Sequence, residues 1–341
     1  MKVLKTTIAI VLVVGLVITF ASCSATPADS SAAAPASSEA AVGKPIYVGF
    51  VQVGAESDWR MANTKSMQET FSAEKGYKFE MVDCQQQTPK QITAIRDLIQ
   101  KGVNYIVLAP NTEAGWDTVL GEAKAAKIPV IIVDRMIKTG DESLYTAWVG
   151  SNFKQEGLDA AMALEKILTD KGVKDTDTVN IVTLQGTMGS SAQLGRTDGF
   201  AEGSAGHSNW KMLDKQSGDF TQEKGQEVME SFLKSHGDID VVISENDNMS
   251  YGAIAAIKAA GKTCGPKGDI VLVSFDGGKA AFQCMVDGTI NVIVECNPLH
   301  GPRVEQIIKD LEAGKTVEKK AYVKEETFWP DKAAELLPTR F

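Results

Sequence analysis

The chain has 341 residues, 43% hydrophobic and 23% charged, with 44 acidic side chains against 35 basic ones for a formal net charge of −9. That length suffices for two hydrophobic cores. The acidic balance, with no Lys/Arg cluster interleaved with aromatics, argues against a nucleic-acid partner.

The first stretch reads as export machinery. Lys2 and Lys5 precede the apolar run TTIAIVLVVGLVITF (6–20), and ASC (21–23) places small residues before a cysteine. This is the plan of a secretory signal segment, too short for a bilayer span. Its end resembles a bacterial lipobox, which implies lipidation of Cys23 and a mature chain starting there. Residues 24–44 are almost all Ser, Ala and Pro. They cannot bury a core and read as a tether. Export makes disulfides possible among Cys84, Cys264, Cys284 and Cys296, and all three full pairings stay open. With only three scattered histidines (His207, His236, His300) and no paired-cysteine spacing, no metal site is expected.

From Pro45 onward, apolar runs alternate with amphipathic stretches. Strands are predicted at 46–52, 77–83, 105–110, 129–134 and 145–150, with helices at 59–76, 89–102 and 114–126 between them. A second, similar series follows. Its strands fall at 178–186, 210–218, 239–247, 269–277 and 290–298, and its helices at 152–172, from 192, at 221–237, 248–261, 278–287 and 300–313. Alternating strands and helices give parallel sheets covered on both faces. The expected class is therefore α/β, in two doubly wound parallel-sheet lobes.

Ligands in such folds bind beyond the carboxyl ends of the strands. The segment PVIIVDRMI (129–137) shows why this matters: four apolar residues end on Asp134 and Arg135, adjacent charges at the mouth of a buried strand. Polar or aromatic residues recur at the corresponding places. The first half offers Gln52, Glu56, Trp59, Arg60, Asp83 and Gln85 as well as Asp134 and Arg135. The second offers Arg196, Phe220, Asn246 and Asp276, and the last strand Glu295. Carboxylates accept hydrogen bonds, guanidiniums donate them in a planar fork, and aromatic faces stack on C–H surfaces. That mixture suits a small neutral polyol.

At these residues the chain resembles the type I periplasmic sugar-binding proteins, the ribose- and galactose-binding group that feeds ABC importers. The marks are Asp134-Arg135, GRTDGF (195–200), SGDF (217–220), END (245–247) and SFDG (274–277). Longer stretches, including GFVQVGAESDWR (49–60) and QSGDFTQEKGQEVMESF (216–232), are most similar to the galactofuranose-binding branch of that group. The resemblance implies a three-strand hinge between the lobes, with sugar held by closure in the cleft. It assigns 45–148 plus 278–297 to the first lobe, 149–277 plus 298–330 to the second, and 331–341 to a tail. It also implies a monomer without cofactors, a membrane permease as partner, and residence in the periplasm or on the outer face of the cell membrane. Asp58 stands where the ribose binder has an aromatic, which points to a more polar ligand such as a hexofuranose.

Two rival functions are weaker. QVGAESDW after the first strand lacks the G-x-G-x-x-G of a dinucleotide site, so an oxidoreductase is not expected, and arginines beside the acids disfavour a glycosidase. Ligand presentation to a chemoreceptor or histidine kinase, or capture of a nucleoside, stays compatible with the same closed form.

Overall fold

A computed structural model describes residues 44–341 of the chain. The signal segment, the tether and Cys23 lie outside the described residues.

The first lobe is laid down in chain order as β1 (Ile46–Gln52), α1 (Asp58–Thr70), β2 (Tyr77–Asp83), α2 (Thr88–Gln100), β3 (Tyr105–Leu108), α3 (Asp117–Ala125), β4 (Val130–Val133) and β5 (Ala147–Gly150). β3, β4 and β5 are buried along their whole length, which is why their sequences are unbroken apolar runs. The chain then crosses to α4 (Phe153–Asp170), β6 (Val179–Gln185), α5 (Ser191–Ser204), β7 (Trp210–Ser217), α6 (Gln222–Ser235), β8 (Val241–Ser244), α7 (Asp247–Ala259), β9 (Val271–Asp276), α8 (Lys279–Val286) and β10 (Val292–Glu295). Two shorter excursions finish it: α9 (Gly301–Glu312) with β11 (Lys320–Tyr322), then β12 (Thr327–Phe328) with α10 (Pro330–Leu336).

Two six-stranded sheets result, ordered β11-β5-β4-β3-β1-β2 and β12-β10-β9-β8-β6-β7. All pairings are parallel except β10 with β12. The doubly wound, two-lobed α/β architecture expected from the sequence is therefore present, and the chain passes between the sheets three times.

The allotment of the last elements to lobes differs from expectation. β10 was expected in the first lobe, yet Val292 pairs with Val273 of β9, and Phe282 and Met285 of α8 join the second lobe's core. Conversely, Val304 and Ile308 of α9 pack into the first core beside Met67 and Phe71, and β11 pairs with β5. The crossings accordingly fall at 151–152, 296–300 and 323–326. Residues 331–341 are no free tail: Ala333 is buried, and Leu336 and Phe341 pack against the second core. Among the described residues, Cys84, Cys264, Cys284 and Cys296 are free thiols.

Candidate functional site

The carboxyl ends of the two sheets face each other across one cavity. From the first lobe it is lined by Glu56, Ser57, Trp59, Arg60, Asp134 and Arg135; from the second by Phe153, Ala192, Arg196, Phe220, Asn246, Asp276 and Cys296.

Local chemistry aims each group. Ser57 caps α1 by accepting from the Arg60 backbone N–H at 3.1 Å, which fixes the helix start and hence the direction of Trp59 and Arg60. The chain leaves β4 through Asp134 at φ 63°. Asp134 N–H donates to Val149 O at 2.8 Å, and Trp148 Nε1 donates to Asp134 O at 3.0 Å. Asn246 caps α7 through Met249 N–H (2.9 Å) and donates from Nδ2 to Phe220 O (3.0 Å). Phe220 (φ 62°) and Asp276 (φ 98°) are left-handed as well. Each such non-glycine conformation costs about 1–3 kcal/mol and persists where surrounding contacts over-determine it. Three occur in this one cavity.

The charges interlock. Arg60 reaches Asp134 Oδ2 at 2.6 Å and Glu56 Oε1 at 3.0 Å. Arg135 lies 3.5 Å from Glu56 Oε1, donates to Asn111 O at 3.0 Å, and sets its guanidinium 5.1 Å from the Phe220 ring centre. Arg196 donates to Glu156 at 2.6 Å and to Asp276 at 3.3 Å, stacked near Phe275. Burial pushes the Asp134 carboxyl up, but Arg60 and Arg135 outweigh it and hold the group below the usual range. Burial lifts Asp276 to about 6 against the pull of Arg196, and brings Arg135 down to about 10, helped by Arg60. Three guanidiniums meet three carboxylates among the lining residues, so the cavity is balanced for a neutral guest. Glu56 Oε2 is buried there without a hydrogen-bond partner.

Of the residues singled out from the sequence, nine line the cavity: Glu56, Trp59, Arg60, Asp134, Arg135, Arg196, Phe220, Asn246 and Asp276. Four do not. Asp83 is exposed and accepts from Gln85 N–H in a two-residue turn, leaving the Gln85 side chain on the surface beside Lys90. Gln52 is buried one layer behind, donating to Asn63 and Thr64 and facing Arg60. Glu295 turns to Arg340 (2.8 Å) and to Glu326 N–H, while its neighbour Cys296, the first residue past β10, lines the cavity instead. Phe153, Ala192 and Glu156 escaped notice because helix-start residues read as ordinary core.

The lobes touch. Asp58 N–H donates to Asn248 Oδ1 at 3.0 Å, Met136 N–H to Ser191 Oγ at 2.7 Å, and Glu113 N–H to Gly189 O at 3.0 Å. The cavity between them measures about 30 Å³, room for about two or three water molecules. A larger guest enters only as the lobes part.

The sequence profile of the periplasmic binding protein domain matches residues 48–300. The chain belongs to the periplasmic binding protein family. It is 40% identical over 313 residues to the galactofuranose-binding protein YtfQ of Escherichia coli K12, covering 90% of this chain and 95% of that one. A solved structure of a protein from Mycobacterium smegmatis in complex with β-D-fucofuranose is 42% identical, covers 86% of this chain and 94% of the other, and superposes with a TM-score of 0.82. The arabinose-transporter binding protein of Shewanella sp. ANA-3, solved with L-arabinofuranose, is 38% identical over 86% of this chain and 95% of that one, with a TM-score of 0.80.

Proposed function

We propose that this protein is an extracytoplasmic solute-binding protein that captures a neutral monosaccharide, a hexose in its furanose form, galactofuranose foremost, and delivers it to an ABC importer. The observation that carries the reading is the buried, charge-balanced cavity in which Glu56 Oε2 has no partner. A sugar hydroxyl supplies the missing donor, and the remaining forks and carboxylates match hydroxyls that both donate and accept. Trp59, Phe153 and Phe220 offer faces for the C–H side of a ring. The furanose ligands of the relatives from E. coli, M. smegmatis and Shewanella support the ring form.

The site binds without catalysing. Each lining carboxylate faces a guanidinium at 3.5 Å or less, an arrangement suited to gripping hydroxyls. The protein acts as an exported monomer held to the membrane by lipid on Cys23; loss of acyl labelling in Cys23→Ser tests the anchor.

Thermal denaturation of residues 44–341 with a panel of pentoses, hexoses and nucleosides tests the function. A ligand at about 100 times its Kd stabilises by about 2.7 kcal/mol, a shift of several degrees. A shift with furanose-rich sugars supports the proposal. A shift with nucleosides alone overturns it.

A further inference from the structure

The three crossings meet at a second group of side chains, which adjoins the sugar cavity through Cys296 and Arg196. Glu156 stands in the first turn of α4, just past the first crossing. Cys296 lies on the second crossing and Glu325 on the third. One oxygen of each carboxylate and Cys296 Sγ all lie within 4.8 Å of one another.

Each atom is prepared for a ligand in its own way. Glu156 is 3% exposed. Its Oε2 accepts from Arg196 at 2.6 Å, and its Oε1 is buried with no hydrogen-bond partner. Cys296 is a free, buried thiol. Glu325 Oε1 accepts from Ser151 Oγ (2.6 Å) and Asn297 N–H (2.7 Å). Ser151 Oγ is also 3.3 Å from Cys296 Sγ. Residues on all three crossings therefore converge here.

We propose that Glu156, Cys296 and Glu325 form a site for a divalent metal ion of the zinc class, placed where the three crossings join. A thiolate with two carboxylates selects a borderline-soft cation; magnesium and calcium take oxygen ligands in sixfold or higher coordination. Zinc bonds of about 2.3 Å to sulfur and about 2.0–2.2 Å to oxygen set tetrahedral ligand atoms about 3.3–3.7 Å apart, inside the observed limit. Ser151 orients both the carboxylate and the sulfur from outside, as the outer partners of metal ligands do. Charge agrees. Arg196 is shared between Glu156 and Asp276 and Arg340 is paired with Glu295, so the acids exceed the nearby cations.

Histidine and paired-cysteine spacing do not announce this site, because its ligands are drawn from positions 156, 296 and 325. An ion there ties the crossings together. Sugar affinity and metal affinity then shift each other by the same factor, through the backbone of Cys296, whose carbonyl accepts from Trp59 Nε1 at 2.7 Å.

The test is a titration of the purified, chelator-treated and reduced chain with Co²⁺, followed by Zn²⁺. Expected is a thiolate-to-cobalt charge-transfer band that saturates at a single equivalent and is bleached by Zn²⁺. Cys296→Ser and Glu325→Gln lose it, Ser151→Ala weakens binding by about 10–100-fold, and Cys264→Ser keeps it. Absence of the band in the wild-type chain, its survival in Cys296→Ser, or equal affinity in Glu325→Gln overturns the proposal. Circular dichroism confirms that each variant is folded. Should Cys296→Ser fail to fold, Glu325→Gln, which keeps the side chain's shape, decides the matter.

Discussion

Gly186, just after β6, is where a single methyl reports on the cavity. A Cβ there would lie 1.9, 2.2 and 2.4 Å from three ring carbons of Phe220, about 1.5 Å inside ordinary carbon contact. The backbone cannot yield: Gly186 N–H donates to Glu245 Oε2 at 2.8 Å, and its carbonyl accepts from Ser217 Oγ at 2.7 Å. Phe220 is tethered in turn by Asn246. The ring must therefore swing away from Gly186, toward the Arg135 guanidinium it faces and into the space a sugar ring would occupy. Overpacking of this kind costs about 1–3 kcal/mol, which for binding is about 5- to 150-fold in Kd. Calorimetric titration of Gly186→Ala with the sugar that binds wild type should show that loss. Gly206→Ala, where a methyl meets nothing within 4 Å, should bind as wild type does. Binding by Gly186→Ala within about twofold of wild type, at unchanged melting temperature, would refute the placement of Phe220 against the ligand.

Removing the unpartnered acceptor by Glu56→Gln should weaken sugar binding by about 1.5–3 kcal/mol, the range for hydrogen bonds to charged groups, while circular dichroism stays unchanged; equal affinity would show that no hydroxyl reaches it. Asn248 joins the lobes through Asp58 N–H at the cost of nothing in the cavity, so Asn248→Ala should lower affinity by about 2- to 10-fold, chiefly through faster release in stopped-flow fluorescence. Burial lifts the free protein's Asp276 carboxyl to about 6, and a sugar hydroxyl donating to the charged form brings it back down. Binding then releases a proton, so affinity should rise with pH up to about 6 and level off above. Asp276→Asn should flatten that slope in titrations from pH 4.5 to 8.

The sequence shows its fold best where burial dictates composition. The runs of β3, β4 and β5 are apolar because both sheet faces are covered, and Asp134-Arg135 stands out because charges have no business inside such a strand. The exchange of the last elements between lobes was illegible for a related reason. Val304 and Ile308 of α9 form a stripe that would fit either core, and no local signal says which sheet β10 will join. Asp83 and Gln85 misled because an exposed Asp-initiated turn and a ligand-bearing strand end use the same residue types. Cys296 went unseen for the opposite reason: beside the polar Glu295 it reads as core, and only its place where the chain leaves β10 brings it to the cleft. Glu156 sits at a helix start where an acid ordinarily needs no explanation.

The most direct test is calorimetric titration of residues 44–341 with galactose, fucose and arabinose preparations enriched in their furanose forms, beside the Arg135→Ala variant. The account predicts micromolar or tighter binding of a furanose by the wild-type protein, and loss of that binding when the Arg135 fork is removed. No heat with any of these sugars, or undiminished binding in Arg135→Ala, would contradict it.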